Sequence, residues 1–140
     1  MNEKIFEMIE KYGDDTDFYG KVSEEDISKI EEMLNLQFPQ GYREFVKNFG
    51  SGGICGVEIV GVEGDQGASV VKATERYREF GLEKHWVVIN DSGEFFMCMS
   101  TFDVNERVFL GDRSGQEPVV HYNSFDEYLI DVFQEAIDNL

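Results

Sequence analysis

The fold is decided by Ile27–Gly56, ISKIEEMLNLQFPQGYREFVKNFGSGGICG. Apolar residues recur at helical spacing in its first third, a Phe-Pro pair interrupts them, and a second apolar stripe then begins. Three glycines, Gly50, Gly52 and Gly53, follow the last apolar residue of that stripe. A glycine just past a helix can adopt the left-handed conformation that lets the chain turn sharply. The stretch therefore predicts two short helices followed by a glycine hook, which we define as Gly50–Gly53.

Hydrophobic periodicity outside this stretch predicts further helices and several short strands. Helical spacing and capping signals place helices at residues 2–12, 24–34, 40–49, 69–80 and 125–140. Apolar runs bounded by turn residues place strands at residues 57–62, 86–90, 94–100, 107–110 and 119–122. This order predicts an α+β fold in which a mostly antiparallel sheet is flanked by helices, with the N-terminal helices and the C-terminal helix packed on the sheet. The length fits one domain over residues 1–140.

The charge balance is strongly acidic, because 29 Asp and Glu residues stand against 12 Lys and Arg residues and give a formal net charge of −17. Nucleic acids and anionic lipids attract proteins largely through Lys and Arg, so we expect neither nucleic acid nor a membrane as a partner. A basic protein or a metal cation suits this charge instead. Net charge alone leaves open the other interpretation, that the acidic residues only solvate the surface.

The sequence carries no recognisable membrane or secretion signal. No apolar run approaches the roughly 20 residues of a membrane span, and the N-terminus lacks the apolar core of a signal peptide. The cysteines Cys55 and Cys98 are far apart in the sequence and belong to no CxxC pair. These features predict a cytoplasmic protein with buried thiols, a single disulfide bridge being the alternative.

No residue pattern supports catalysis. The two histidines, His85 and His121, stand in no catalytic frame, so both are interpreted as structural or surface residues. The segment GSGGICG at 50–56 has the look of a dinucleotide-binding loop, but it follows a helix instead of joining a strand to the start of one. The sequence therefore predicts no enzyme, no catalytic residue and no cofactor.

An acidic segment, Asp15–Asp26, has part of the pattern of an EF-hand calcium loop. Asp15, Asp17 and Gly20 fall on suitable positions, but Tyr19 replaces an oxygen ligand, and the last position carries Asp where the usual bidentate ligand is Glu. An acidic linker followed by a capped helix accounts for the same residues. We therefore predict no metal site, and calcium binding by this segment is a question that the sequence leaves open.

Several segments in a fixed order carry a family resemblance over nearly the whole chain from Ser23 onward. They are Ile27–Leu34 with Glu31, Phe38-Pro39 with Tyr42 and Phe45, Gly50–Gly53 followed by Gly56-Val57, Ala68–Val71, Trp86–Asp91 and Ser124–Leu129. On these segments the chain resembles the SUKH superfamily, the Smi/Knr-type homology group, and in particular its bacterial YobK-like immunity proteins. The resemblance implies an α+β fold with a mostly antiparallel sheet backed by helices, and no catalytic residues.

The resemblance also implies a function. Bacterial members of this kind confer immunity to a polymorphic toxin, often a nuclease, made by the same cell. We therefore expect a protein that binds its cognate toxin in stoichiometric amounts and occludes the toxin's basic active surface, its carboxylates taking the place of substrate phosphates. The alternative is a non-catalytic regulatory or scaffold module inside the cell, the role implied by resemblance to eukaryotic relatives. The oligomeric state stays open.

Acidic side chains close to aromatic ones are the candidate toxin-binding residues. Charge complementarity raises the association rate, whereas tight binding needs buried aromatic anchors or desolvated charge pairs. The candidates are Glu58, Glu63, Asp65, Asp91, Glu94, Phe95, Phe96, Asp103, Glu106 and Asp112. An ordinary solvated rim is the competing interpretation of each of them.

Overall fold

A computed structural model describes residues 1–64 and 67–140, and within these ranges the chain forms five α-helices and a four-stranded sheet. The helices are α1 (Glu3–Tyr12), α2 (Glu24–Leu34), α3 (Gln40–Phe49), α4 (Ser69–Arg78) and α5 (Phe125–Asp138). The strands are β1 (Trp86–Asp91), β2 (Phe95–Ser100), β3 (Val108–Asp112) and β4 (Val119–Tyr122). The predicted α+β class, with helices packed on an antiparallel sheet, is confirmed.

The sheet is antiparallel throughout and has the order β1-β2-β3-β4, so strands that are neighbours in the sheet also follow each other in the chain. β1 and β2, which follow each other in the chain, form a hairpin. Gly93 takes φ +96° in the connection, and its N–H donates to the Asp91 carboxylate at 2.8 Å. A glycine suits this turn because residues with a Cβ rarely adopt a positive φ.

Different helices cover the two faces of the sheet. Successive side chains of a strand point to opposite faces, so each strand contributes to two apolar clusters. On one face, Ala73 and Tyr77 of α4 pack with Phe96 and its neighbours. On the other face, α1, α2, α3 and α5 bury a larger cluster that includes Val87 and Val108 of the sheet, and the first turn of α4 adds Val70 and Val71 to it. The sheet is therefore enclosed from both sides over most of its area.

The glycine hook ends α3 as predicted, with Gly50 at φ +73° and Gly52 at φ +108°. The N–H of Gly52 donates to the Ile59 carbonyl at 2.9 Å. A Cβ added to Gly52 would lie 2.1 Å from the carbonyl oxygen of Asp17. The hook thus lies between the chain that precedes α2 and the chain that precedes α4, and these backbone contacts leave no room for a side chain at Gly52.

The predicted strand at 57–62 is wrong. Among the described residues, the segment has one ladder contact, an isolated bridge between Ile59 and Gly52. The N–H of Val60 turns the other way and donates to the Ile89 carbonyl of β1 at 3.0 Å. Because its hydrogen bonds alternate between the hook and β1, the segment covers the outer edge of β1 without becoming a fifth strand.

The opposite edge of the sheet, β4, is uncovered. Within residues 1–64 and 67–140, β4 makes backbone hydrogen bonds to β3 and to no other segment. Its side chains Val119 and Val120 are both exposed. The outward backbone groups of β4 are consequently the free edge of this sheet.

Ser124 and Glu127 cap the N-terminus of α5. Ser124 Oγ accepts a hydrogen bond from the Glu127 N–H at 3.1 Å, which is the first half of a capping box. The Glu127 carboxylate accepts from the Asn123 N–H at 3.0 Å instead of from Ser124. The cap therefore fixes one residue more of the incoming chain than a standard capping box does.

The acidic segment Asp15–Asp26 forms a turn and a helix cap. The Asp17 carboxylate accepts the Asp14 N–H at 2.9 Å, and Ser23 Oγ accepts the N–H of Asp26 in the first turn of α2 at 3.1 Å. In the described part of the chain, no three His, Cys, Asp or Glu side chains gather in a way that could hold a metal ion.

Both cysteines are free thiols, so Cys55 and Cys98 do not form the disulfide bridge that was the alternative prediction. Cys98 is buried on the α4 face, and burial raises the pKa of its thiol. Cys55 is partly buried. None of the helices in the described ranges is long and apolar enough to cross a lipid bilayer.

Candidate functional site

One end of the sheet face on the α5 side is left uncovered by the helices. Side chains alternate along β2, so Phe95, Met97 and Met99 share this face, with Met99 buried beneath the helices. The register places Leu110 of β3 opposite Met97, and Val119 of β4 opposite Leu110. Phe95 exposes 48% of its surface and Val119 exposes 61%. We call Phe95, Met97, Leu110 and Val119 the sheet-face patch.

Acidic residues border the sheet-face patch on two sides. Asp112 lies opposite Phe95 in the β2–β3 register, and Glu117 lines the same shallow groove as Phe95. A second groove contains Met97 together with Glu58 and extends to α5. The described residues that line these two grooves include neither Lys nor Arg. The border of the patch is therefore negative on both sides.

The carboxylates at this border are free to meet a partner. Glu58, Glu94 and Glu117 are exposed and make no ion pair within the described part of the chain. Asp112 accepts the Ser114 N–H at 2.9 Å, and hydrogen bonds from Ser114 lower the pKa of its carboxyl group, which keeps it charged. An apolar floor with an unneutralised acidic border suits a partner that carries basic groups around an apolar contact.

Three of the predicted residues line this surface, namely Glu58, Phe95 and Asp112. Glu94 directly precedes Phe95 at the start of β2 but lines neither groove. The structure brings the three lining residues together from three separate parts of the chain. Their proximity depends on the β2–β3 pairing and on the 57–62 segment that covers β1.

Phe96 requires a correction, because the structure places it in the core. It is only 3% exposed and points to the α4 face, opposite to its neighbour Phe95. Its ring packs on Tyr77 with the ring centroids 4.1 Å apart. A Cβ on Gly111 would come within 2.4 Å of the Phe96 ring, so β3 has a glycine where this ring crosses it. Phe96 is thus a packing residue and offers no surface to a partner.

Two predicted acids, Glu63 and Glu106, hold the N-termini of helices. The Glu63 carboxylate accepts the Ser69 N–H at 2.7 Å and the Ser69 hydroxyl at 2.8 Å at the start of α4. The Glu106 carboxylate accepts the N–H of Gly41 in the first turn of α3 at 2.8 Å. Free N–H groups and the helix dipole both favour a carboxylate there. These interactions give both residues an intramolecular role.

Asp91 and Asp103 are also engaged within the chain. Asp91 accepts the Tyr77 hydroxyl at 2.6 Å and pairs with Arg76 at 3.2 Å, and burial together with this hydrogen bond raises the pKa of Tyr77. Asp103 pairs with Arg107 at 3.0 Å. Burial opposes ionisation of Asp103, but its hydrogen bonds, led by those from Arg107, outweigh burial and lower the pKa. The remaining candidate, Asp65, lies outside the described residues.

Sequence reasoning missed the apolar floor of the surface and one of its acids. Met97, Leu110 and Val119 were assigned to strands, but the pairing register that places them side by side was not predicted. Alternation along β2 was the available signal, since it puts Met97 on the same face as Phe95. Glu117 lies between the predicted strands at 107–110 and 119–122, and nothing in the sequence shows which carboxylates of such a loop meet the sheet.

The hydrogen bond between His85 Nδ1 and Ser100 Oγ, 2.7 Å long, is the arrangement closest to a nucleophile with its base. Ser100 is buried, and its hydroxyl oxygen already accepts the Phe102 N–H at 3.1 Å. The Phe102 ring is stacked on the imidazole of His85. The hydrogen bond between His85 and Ser100 therefore holds the start of the β2–β3 connection in place, which is a structural role.

The geometry defines a class of protein: an α+β domain with helices on both faces of an antiparallel sheet and an acidic surface with an apolar floor. A family model for SUKH_5, described as SMI1-KNR4 cell-wall, matches residues 2–134. The chain therefore belongs to the SUKH_5 (SMI1-KNR4) family, and the resemblance found in the sequence is confirmed. Proteins of this family are generally non-catalytic binding domains.

A solved structure supports the fold independently. It is described as the crystal structure of a protein from Pseudomonas syringae pv. tomato. The two chains are 20% identical, and their similarity covers 96% of this chain and 99% of that chain with a TM-score of 0.76. At this identity the likeness concerns the fold alone.

Proposed function

We propose that this chain is an immunity protein that binds a cognate bacterial toxin, a nuclease, and neutralises it by covering its active surface. The observation that carries the proposal is the sheet-face patch with its acidic border. Membership of a SUKH family supports it, because SUKH proteins include immunity proteins. The net charge of −17 supports it further, since a nuclease must present basic groups to its substrate phosphates.

The proposed mechanism is occlusion without chemistry. Glu58, Glu94, Asp112 and Glu117 face the basic groups of the toxin and attract them over a distance, which raises the association rate. Phe95 then enters an apolar site on the toxin and loses its exposed surface. Buried aromatic side chains at an interface centre contribute most of the affinity, and border charges contribute mainly to the rate of encounter. The bound chain excludes nucleic acid from the toxin, because the chain and the nucleic acid compete for the same basic surface.

If a toxin domain is encoded beside the gene for this chain, that domain is the appropriate test partner. Co-expression with this chain is expected to restore growth to cells that make the toxin domain. Purified proteins are expected to form a 1:1 complex whose association rate falls as salt is raised, because ions screen charges beyond about 8 Å at physiological ionic strength. A growth defect that persists in cells containing both soluble proteins contradicts the proposed function.

Phe95→Ala tests the apolar anchor. We expect the dissociation constant of the toxin complex to rise at least about tenfold, mostly through faster dissociation. Phe102→Ala is the matched control, because Phe102 is 77% exposed and follows the other end of β2. Surface plasmon resonance measures both variants. A loss of affinity with Phe102→Ala and none with Phe95→Ala would move the interface away from the sheet-face patch.

The double substitution Glu58→Gln and Glu94→Gln tests the acidic border. The association rate at low salt is expected to fall about threefold to tenfold, and the dissociation rate is expected to change little. The control pair Glu7→Gln and Glu10→Gln removes the same charge from exposed positions of α1. Equal effects of the two pairs mean that net charge alone attracts the toxin, and that the position of the carboxylates is irrelevant.

A further inference from the structure

The free edge of β4 is not used by any interaction described above. About half of the backbone N–H and C=O groups of an edge strand point away from its neighbour and can pair with another strand. Within residues 1–64 and 67–140, the backbone of β4 bonds to β3 and to no other segment. Val119 is 61% exposed and Val120 is 45% exposed. β4 therefore offers unpaired backbone groups between side chains that are open to solvent.

The edge of β4 has few of the features that usually prevent strand addition. Edge strands are commonly protected by a charged side chain, a proline or a covering segment. The four residues of β4, Val-Val-His-Tyr, include no Lys, Asp, Glu or Pro. The register shift in the β3–β4 pairing leaves His121 without a partner in β3, and this bulge restricts further pairing to a short segment. The edge is thus open to one short strand and unsuited to a long one.

Carboxylates lie at both ends of β4. Glu117 precedes the strand by two residues, and Asp131 accepts the Tyr122 hydroxyl at 2.6 Å at the other end. Burial, this hydrogen bond and the negative charges of Asp131, Glu135 and Glu127 raise the pKa of Tyr122. Residues 114–140 contain neither Lys nor Arg, and their acids are Glu117, Asp126, Glu127, Asp131, Glu135 and Asp138. The surroundings of the edge are therefore negative.

Two cations from other parts of the chain lie near the strand. Arg107 lies over the ring of Phe109 in β3, but its guanidinium group is already bound by Asp103 at 3.0 Å. Arg113 lies over the Phe80 ring, beyond the end of α4. Arg107 is therefore neutralised within the chain, and Arg113 alone does not balance the acids at the two ends of β4.

We infer that the free edge of β4 binds an extended strand of the partner protein that carries Lys or Arg side chains. In such strand addition, main-chain hydrogen bonds supply affinity and alternate side chains supply specificity. Basic side chains of the added strand can reach Glu117 at one end and Asp131 at the other. A second copy of this chain suits the edge less well, because it brings the same acids against each other.

The edge is continuous with the sheet-face patch, because Val119 belongs to both. Residues opposite each other on paired strands point to the same face of a sheet. A partner side chain opposite Val119 consequently lies beside the patch and extends its apolar floor. The inference rests on the proposed function for the identity of the partner, and it adds a backbone contact to the side-chain contacts already proposed.

A capped hexapeptide of alternating lysine and valine is a suitable probe of the edge and requires no toxin. One control peptide has glutamate in place of lysine, and a second keeps the lysine sequence but carries a methyl group on every backbone nitrogen. Amide NMR spectra of the chain report binding at Val119–Tyr122. We expect saturable shifts and slower hydrogen exchange at these amides, with a dissociation constant of the order of millimolar. Both control peptides should bind at least about fivefold more weakly.

Val120→Lys tests the edge from the side of this chain. A lysine at this position repels a basic strand, so the variant should bind the lysine peptide at least about fivefold more weakly and the glutamate peptide more tightly. Val120→Thr is the matched control, because it keeps a β-branched side chain without charge, and it should bind the lysine peptide within about twofold of wild type. Far-UV circular dichroism and thermal unfolding show whether both variants fold.

Three results would overturn the inference: no saturable binding, equal binding of the three peptides, or shifts that leave Val119–Tyr122 unaffected. A dimer of the chain alone that protects the β4 amides from exchange would also overturn it, because a second copy is then the occupant. Sedimentation equilibrium with hydrogen exchange at several protein concentrations detects this case.

The peptide experiment and the toxin experiment fail independently. Binding of the lysine peptide at β4 without any toxin binding supports the inference about the edge and contradicts the proposed function. A toxin complex that depends on Phe95 but leaves hydrogen exchange at Val119–Tyr122 unchanged supports the function and overturns the inference.

Discussion

Phe95 and Phe96 are neighbours in the sequence with opposite surroundings. Phe95 is half-exposed on the sheet-face patch, and Phe96 is buried against Tyr77 on the α4 face. Because side chains alternate between the two faces of a strand, one of these neighbours is available to a partner and the other is required by the core. Substituting each in turn therefore separates binding from stability.

Phe96→Ala is expected to lower the free energy of unfolding by about 3–5 kcal/mol, because it removes a buried ring and leaves a cavity. Phe95→Ala is expected to cost less than about 1 kcal/mol, since half of its surface is already in water. Urea denaturation followed by circular dichroism measures both values. Similar losses for the two variants would show that Phe95 also belongs to the core.

Glu63→Ala tests whether this acid serves the fold. Its carboxylate accepts two hydrogen bonds from Ser69 at the start of α4, where no other side chain caps the helix. We expect a loss of about 1–2 kcal/mol in unfolding free energy. Glu58→Ala is the control and should change stability by less than about 0.5 kcal/mol, because the Glu58 carboxylate is exposed.

Asp103 gives the protein a local dependence on pH. The hydrogen bonds and charge of Arg107 lower the pKa of Asp103 in the folded chain. Its stabilising contribution is therefore present above the ordinary Asp pKa of about 3.9 and is lost as the pH falls through the folded value. The free energy of unfolding of the wild type should exceed that of Asp103→Asn by about 1–2 kcal/mol near neutral pH, and the difference should shrink as the pH falls below the ordinary Asp pKa. Arg107→Gln should reproduce the loss at neutral pH, and a constant difference would contradict the linkage.

At the scale of elements, the glycine hook joins three segments of backbone. It ends α3, contacts the chain before α2 through Asp17 and bonds to Ile59 in the segment that covers β1. The end of α3 packs so closely against other backbone segments that its conformation depends on glycines, which have no side chain, and not on side-chain contacts. The hook is thus the element in which a small substitution has a large effect.

Gly52→Ala is expected to lower the free energy of unfolding by at least about 3 kcal/mol, because the new Cβ meets the Asp17 carbonyl and the backbone has φ +108°. Gly56→Ala is the matched control. Gly56 also has a positive φ, +86°, but a Cβ there meets nothing within 4 Å, so only backbone strain of about 1–2 kcal/mol is expected. Thermal and urea unfolding of both variants provide the comparison.

Helices and the four paired strands follow from periodicity in the sequence, but the 57–62 segment does not. Two of its apolar residues do reach the core, since Ile59 and Val62 are buried. What makes a strand is a continuous partner, and here the hydrogen bonds of the segment are divided between the hook and β1. That division depends on where α3 ends in space, which local sequence does not state.

The binding surface was predictable only in part for a similar reason. The sequence predicts Glu58 and Asp112 as binding residues because they are acids close to aromatic residues, and the same criterion also selects Glu63 and Glu106. Those two acids cap helices, and Glu106 does so for Gly41, which is distant in sequence. Tertiary pairing decides which carboxylates are satisfied within the chain and which remain for a partner.

At the scale of the whole molecule, the net charge of −17 should oppose folding through self-repulsion. Raising NaCl from about 10 mM to about 0.3 M screens this repulsion and should raise the Tm by a few degrees. Surface ion pairs such as Lys29–Glu25 lose strength in salt, but each contributes little. Differential scanning calorimetry at fixed pH measures the effect, and KCl in place of NaCl is the control for ion identity. A Tm that falls with salt would show that ion pairs outweigh the repulsion.

The two edges of the sheet set a limit on how copies of this chain can assemble. Within residues 1–64 and 67–140, β1 is covered by the 57–62 segment and β4 is free, so another strand can be added on one side only. Two copies joined through their β4 strands around a twofold axis have no free edge left. Growth into a fibre needs two free edges in each molecule. The 57–62 segment covers the edge of β1 and therefore prevents the sheet from extending into a fibre.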